Sequence, residues 1–130
     1  MSRENLELVR SGVEAWMGGD LAAAIALWDE KIEWAAPPED PDQAVAVGKA
    51  AASEAMARWF ATWDEYRYGL DELIDAGDEV IQAGRQVMVV RGAEVASEIF
   101  LVWTVRDGRA VRMRMFYTRS QALKAAGLAE

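Results

Sequence analysis

The sequence predicts an α+β fold in which a curved antiparallel meander sheet wraps on three N-terminal helices and forms a cone. Three observations lead to this fold class. Amphipathic helical patterns fill the first half of the chain, extended runs fill most of the second half, and short glycine-containing turns separate those runs. Hairpins in succession give antiparallel strands, and a sheet of this kind needs helices to cover one of its faces.

Three helices are predicted before the long strands. Apolar residues at steps of three and four mark the first, which ends at Gly18–Gly19. Asp20 is a typical N-cap for a short second helix. An alternating strand over 31–35 and a proline-containing loop over 37–47 come next, and an alanine-rich helix then runs from about 48 to 66.

The second half of the chain predicts four strands and a closing helical turn. The strands are expected at about 67–76, 78–90, 94–106 and 109–118. Thr118 and Gln121 fit a capping box for the last helix, and Gly127 ends it. Because no linker, repeat or low-complexity tract interrupts the pattern, we expect one domain over residues 1–130.

The composition excludes several kinds of chemistry and several partners. The chain has no Cys and no His, so thiolate, Ser–His–Asp and His-ligated zinc sites are excluded, and we expect no metal and no cofactor. A net charge of −8 argues against nucleic acid and anionic membranes as partners. The N-terminal residues lack the apolar core of a signal peptide, which favours the cytoplasm.

Five segments, in this order, resemble the nuclear transport factor 2-like superfamily, and within it the SnoaL-like proteins. They cover most of the chain: EAWMGGDLAAA (14–24), KIEW with a proline soon after it (31–34), WDEYR (63–67), WTVRDGRAVR (103–112) and ALKAAGL (122–128). The resemblance implies a cone-shaped, ketosteroid isomerase-like fold around an apolar pocket. It does not imply one activity, because this scaffold carries many functions.

The catalytic residues of ketosteroid isomerase-like enzymes are missing at the matching positions. Where that pattern has a general-base Asp, a Tyr donor and a protonated Asp, this sequence has Ala36, a position near Gly12, and a position near Phe100. Steroid isomerisation by those residues is therefore not expected.

Matching the strands to the superfamily predicts which side chains face the pocket. Glu98 and Tyr117 are the candidate catalytic residues. The candidate ligand-binding residues are Trp34, Arg85, Phe100, Val102, Met113 and Met115. Because side chains alternate along a strand, a register error of one residue would invert the predicted face of a strand.

Glu98 has two interpretations. It is either a buried acid or base, positioned by Arg85 on the facing strand, or part of a structural ion pair or of the outer face.

The expected function is binding of a small hydrophobic or aromatic ligand, with isomerase, cyclase or hydrolase chemistry as options. The alternative is a non-catalytic homodimeric binding or scaffold module whose interior is filled by side chains. In either case we expect a homodimer through the outer sheet face, with Arg112, Arg114 and Phe116 in the interface.

Overall fold

The computed structural model describes residues 2–40 and 44–128, which form four helices and six strands. In chain order these are α1 (Ser2–Met17), α2 (Leu21–Ala26), β1 (Trp28–Ala35), β2 (Val45–Val47), α3 (Lys49–Ala61), β3 (Glu65–Ala76), β4 (Glu79–Val90), β5 (Ala93–Arg106), β6 (Arg109–Phe116) and α4 (Arg119–Ala125). None of the helices in these two ranges is long and apolar enough to cross a membrane.

The six strands form one mixed sheet in the order β2-β1-β6-β5-β4-β3. Strands β3, β4, β5 and β6 pair antiparallel with one another in chain order, which confirms the predicted meander. Strand β1 lies parallel to β6 and antiparallel to β2. The sheet is therefore open, with β2 and β3 at its edges, and the predicted α+β class is confirmed.

Local signals in the sequence set most of the element ends. The Asp20 carboxylate accepts a hydrogen bond from the Ala23 amide at 3.1 Å, and the Thr118 hydroxyl accepts one from the Gln121 amide at 3.2 Å. Both predicted caps are confirmed. The turn residues Asp107 and Gly108 have φ values of 53° and 74°, as a tight hairpin turn between twisted strands requires.

Three boundaries differ most from the prediction. Strand β1 begins at Trp28, three residues before its predicted start at 31. Strand β2 lies inside the predicted loop 37–47, where its backbone pairs with β1. Helix α3 ends at Ala61, before the predicted end near 66, because the Asp64 amide already bonds to the Val89 carbonyl at 2.7 Å. The pairing of the sheet thus overrides the apolar helical spacing that continues to Trp63.

Both faces of the sheet carry buried apolar residues. The inner face packs against α1 and α3, through clusters that include Val13 and Ile32. The outer face is covered at one end by α4, which packs over Ile81, Phe100 and Val102. The concave inner face and the N-terminal helices enclose the space described next.

Candidate functional site

A cavity of about 610 Å³ lies between the N-terminal helices and the inner face of the sheet. All six strands and α1, α2 and α3 contribute to its wall. Five of the six tryptophans and all three tyrosines of the chain line it. Its volume lies within the range of about 300–1,000 Å³ that is typical of small-molecule sites.

Aromatic rings hold the walls of the cavity together. The Trp16 ring on α1 lies 5.2 Å from the Tyr68 ring on β3 and 5.7 Å from the Phe60 ring on α3, measured between centroids. On the opposite wall, Trp34 lies 5.1 Å from Trp28 and 6.1 Å from Trp103. Three of these four contacts join elements that are distant in sequence, and together the four support a preformed apolar site.

Two short chains of hydrogen bonds supply the polar groups of the inner face. In the first, the Tyr66 hydroxyl donates to Oε1 of Gln86 at 2.9 Å, and Nε2 of Gln86 donates to the Ser97 hydroxyl at 3.1 Å. In the second, Nε1 of Trp103 donates to Oε1 of Gln82 at 2.9 Å, and Nε2 of Gln82 donates to the Tyr68 hydroxyl at 2.9 Å. Both glutamines are buried, so the two chains satisfy amides that would otherwise be costly to bury.

Gly84 makes room for the second of these chains. A Cβ atom at this position would lie 2.3 Å from the Tyr68 hydroxyl and 2.6 Å from the Gly69 carbonyl oxygen. The absence of a side chain therefore allows the Tyr68 phenol to lie across the strand.

The three cavity tyrosines are neutral donors and acceptors at ordinary pH. Burial raises the pKa of the Tyr66 phenol well above its usual range, and the nearby Tyr68 and Tyr117 raise it further. Burial also raises the pKa of Tyr68, an effect that the hydrogen bond from Gln82 partly offsets. The pKa of Tyr117 is raised by burial and then by the neighbouring Glu39 carboxylate. None of the three phenols is a base at neutral pH.

Charged side chains in the described wall lie at the mouth of the cavity. They are Glu39, Asp40 and Arg58, and the first and last are exposed. Within residues 2–40 and 44–128, no three acidic side chains cluster in a way that could hold a metal ion. The inner part of the cavity is therefore uncharged and the mouth is polar.

The structure places Trp34, Met115 and Tyr117 in the cavity wall, as their predicted inward orientation requires. Met113 also points to the inner side, but it is fully buried, with its Cα in register with those of Trp34 and Trp103. It belongs to the core behind the wall and does not line the cavity.

The predicted inward orientation of Glu98 and Arg85 is wrong. The two residues are direct cross-strand partners, so the expected pairing of their positions is confirmed, but both side chains are exposed on the outer face. Arg85 pairs there with Asp71, its Nη2 lying 3.0 Å from the carboxylate. Glu98 is therefore neither buried nor near the cavity.

Phe100 and Val102 are also on the opposite face. Both are buried, but in the cluster under α4, and they do not line the cavity. Ile99, Leu101 and Trp103 line the cavity in their place.

A β-bulge explains the inversion. Next to the turn, Val105 pairs with Ala110, but beyond the bulge Trp103 pairs with Met113. Without the bulge, Val102 would pair with Met113. The side chains of β5 that face the cavity would then be those predicted from the sequence. The extra residue on β6 shifts the register by one and reverses the faces of β5 and of the strand paired with it.

Sequence reasoning missed Tyr66, Tyr68, Gln82 and Gln86 as residues of the site. One signal was present. Two glutamines four residues apart interrupt an apolar run in β4, and polar residues with this spacing lie on the same face of a strand. A buried amide needs partners, and the tyrosines on β3 provide them.

The proteins that resemble this chain share its fold. An NTF2-like protein from Burkholderia thailandensis is 28% identical, with 95% of each chain covered and a TM-score of 0.77. TerC, co-crystallised with polyporic acid, is 22% identical, with 95% of this chain and 98% of that chain covered and a TM-score of 0.77. A Catenulispora acidiphila protein with a ketosteroid isomerase-like fold, in complex with trimethylamine, is 20% identical, with 94% and 93% covered and a TM-score of 0.70.

The family assignment comes from the sequence as well as from the fold. Among curated proteins, no sequence matches the chain. The family model described as the SnoaL-like domain matches residues 9–113, which include both hydrogen-bond chains and most of the cavity wall. The chain therefore belongs to the SnoaL-like domain family.

Proposed function

We propose that this protein binds a small, uncharged, mostly apolar aromatic molecule in the cavity between its N-terminal helices and the inner face of its sheet. The observation that carries the proposal is the open space of about 610 Å³ behind a wall of tryptophan and tyrosine rings. A scaffold module with a filled interior, the alternative function, would have no such space. We place this binding in the cytoplasm, as the sequence led us to expect.

The chemistry of the wall favours an uncharged ligand. Aromatic rings offer flat apolar contact area, while the polar atoms of the inner face are neutral hydroxyls and amides. An ionised group deep in the cavity would lose its hydration without meeting an opposite charge. Two proteins of the same fold, TerC and the Catenulispora acidiphila protein, are described with small molecules bound, which supports a ligand-binding use of this fold.

Binding can be tested by blocking the space. Ala55 of α3 lines the cavity, whereas Ala57 on the same helix is exposed. The probe is acetylnaphthalene, a flat uncharged molecule, and binding is measured by reverse titration calorimetry. We expect the wild-type protein and the control variant Ala57→Trp to bind it at one site. We expect Ala55→Trp to lose this binding. Absence of binding to the wild-type protein, or equal binding to both variants, would refute the proposal.

A reaction at the mouth of the cavity is a second candidate function. Glu39 and Asp40 are the acidic residues of the described wall, and both are close enough to raise the pKa of Tyr117. In this proposal a carboxylate removes a proton from the bound ligand and Tyr117 donates a hydrogen bond. 2,6-Diacetylnaphthalene carries a second acetyl group at its other end, and proton NMR in heavy water should show its methyl protons exchanging faster with the protein than without it. Glu39→Gln together with Asp40→Asn should abolish the gain. An exchange rate that the protein does not raise would rule it out.

The homodimer remains a proposal, with a changed interface. Arg114 and Phe116 do point away from the cavity, but α4 covers them, and Arg114 is held by Glu79 at 2.7 Å. Arg112 stays exposed on this face, as do Arg85 and Glu98 on strands β4 and β5. Light scattering at micromolar concentration should show a dimer that an Arg85→Glu substitution weakens; a monomeric wild-type protein would contradict it.

A further inference from the structure

The polarity of one hydrogen-bond chain determines what the Tyr68 hydroxyl can do. An indole N–H can only donate, so the bond from Trp103 fixes Oε1 of Gln82 toward the indole. The amide NH₂ of Gln82 then points to Tyr68 and donates to its oxygen. Because the oxygen accepts this bond, the hydroxyl proton of Tyr68 remains to be donated elsewhere.

In the part of the chain that the structure describes, no protein atom takes this proton. Across residues 2–40 and 44–128, the Tyr68 hydroxyl makes one hydrogen bond, the one that it accepts from Gln82. The phenol lines the cavity. The aromatic rings of Trp16 and Phe60 surround this end of the space and offer no strong acceptor. The proton of Tyr68 is therefore available to a molecule in the cavity.

Tyr66, two residues away on the same face of β3, has the opposite role. Its own proton goes to Oε1 of Gln86, so its hydroxyl presents an oxygen that can only accept a further bond. The two tyrosines thus differ in the direction of hydrogen bonding, although they share a strand, a face and a cavity. This difference gives a matched pair of residues for an experiment.

We propose that Tyr68, oriented by the donor chain from Trp103 through Gln82, selects ligands that place a carbonyl or similar acceptor oxygen at this end of the cavity. The inference rests on the proposed function and specifies the class of ligand: a flat apolar molecule with an acceptor group at the end that lies beside Tyr68. A ligand without an acceptor leaves the buried donor unpaired and binds more weakly, because an unmade buried hydrogen bond carries the cost of desolvation.

Two probes of the same shape test the selection. Acetylnaphthalene and isopropenylnaphthalene differ in one position, where a carbonyl oxygen is replaced by a methylene group. We expect the wild-type protein to bind the ketone about fivefold more tightly, the effect of one net hydrogen bond. Tyr68→Phe should reduce the ratio of the two affinities to about one, whereas Tyr66→Phe should retain the preference for the ketone even where it changes both affinities.

A vibrational measurement gives a readout that does not depend on a variant. With the carbonyl carbon isotopically labelled, the C=O stretch of acetylnaphthalene bound to the wild-type protein should lie below its position in hexane, as in a hydrogen-bonded ketone. In Tyr68→Phe it should return toward the hexane position.

The outcomes separate the two proposals. If neither probe binds the wild-type protein, the proposed function fails. If both bind with equal affinity, or if the preference survives in Tyr68→Phe, the selection by Tyr68 is refuted while ligand binding stands. If the wild-type carbonyl stretch matches that in hexane, the selection is refuted even if Tyr68→Phe proves too unstable to measure.

Discussion

Enlarging the side chain of Ala55 distinguishes an open cavity from a filled interior by the sign of its effect on stability. Ala55 lines the cavity from α3 and is half-buried. Ala55→Leu adds three carbon atoms that can lie against the aromatic wall. At about 0.8 kcal/mol for each buried carbon, the gain in the free energy of unfolding is at most about 2.4 kcal/mol. Alanine and leucine have similar helix propensities, so the helix itself contributes little to the change.

Urea unfolding at neutral pH measures this effect. We expect the midpoint for Ala55→Leu to rise without a change in the slope of the transition. The exposed Ala57→Leu is the control, and its free energy of unfolding should stay within about 0.5 kcal/mol of the wild type. A loss of about 1–3 kcal/mol in Ala55→Leu would mean that the added carbons overpack a filled interior, and it would refute the open cavity.

Three further predictions follow from the geometry of the sheet. Gly84→Ala should lower the free energy of unfolding in urea by about 1–3 kcal/mol, because its Cβ would lie 2.3 Å from the Tyr68 hydroxyl and 2.6 Å from a backbone oxygen. The control is Gly69→Ala, whose Cβ would meet no atom within 4 Å and which should lower it far less. Equal losses in the two variants would contradict the crowding at Gly84. The free energy of unfolding should fall above about pH 10, because the unfolded tyrosines release protons there while the buried phenols, with their raised pKa values, retain them. In an ultraviolet titration of the native protein, no phenol should ionise near the usual pKa of tyrosine. Ionisation near that pKa would mean that the tyrosines are exposed to water. Glu98→Gln should change the affinity for acetylnaphthalene by no more than about 0.5 kcal/mol, since the side chain lies on the outer face, away from the cavity; a large loss of binding would return Glu98 to the site.

The fold was predictable because its signals are local. The Asp20 and Thr118 caps and the glycine turns each depend on a few adjacent residues, and the structure confirms them. The position of β1, between β2 and β6, depends on contacts between segments far apart in the sequence. Such contacts leave no pattern that a single sequence reveals.

The inward face of β5 was not predictable for two physical reasons. Helix α4 covers the outer face, so Phe100 and Val102 are as buried as the residues of the cavity wall, and hydrophobicity cannot distinguish the faces. The bulge near Thr104 then shifts the register by one residue, and nothing in the local sequence marks it. Strand β1 was assigned correctly for Trp34, which lines the cavity.

A crystal structure of the protein with acetylnaphthalene bound would test the ligand site most directly. We expect the naphthalene rings between the aromatic walls and the carbonyl oxygen at about 2.8 Å from the Tyr68 hydroxyl, the usual distance of a bond between two oxygens. A probe bound only on the protein surface, or side chains filling the space near Tyr68, would contradict a ligand-binding cavity.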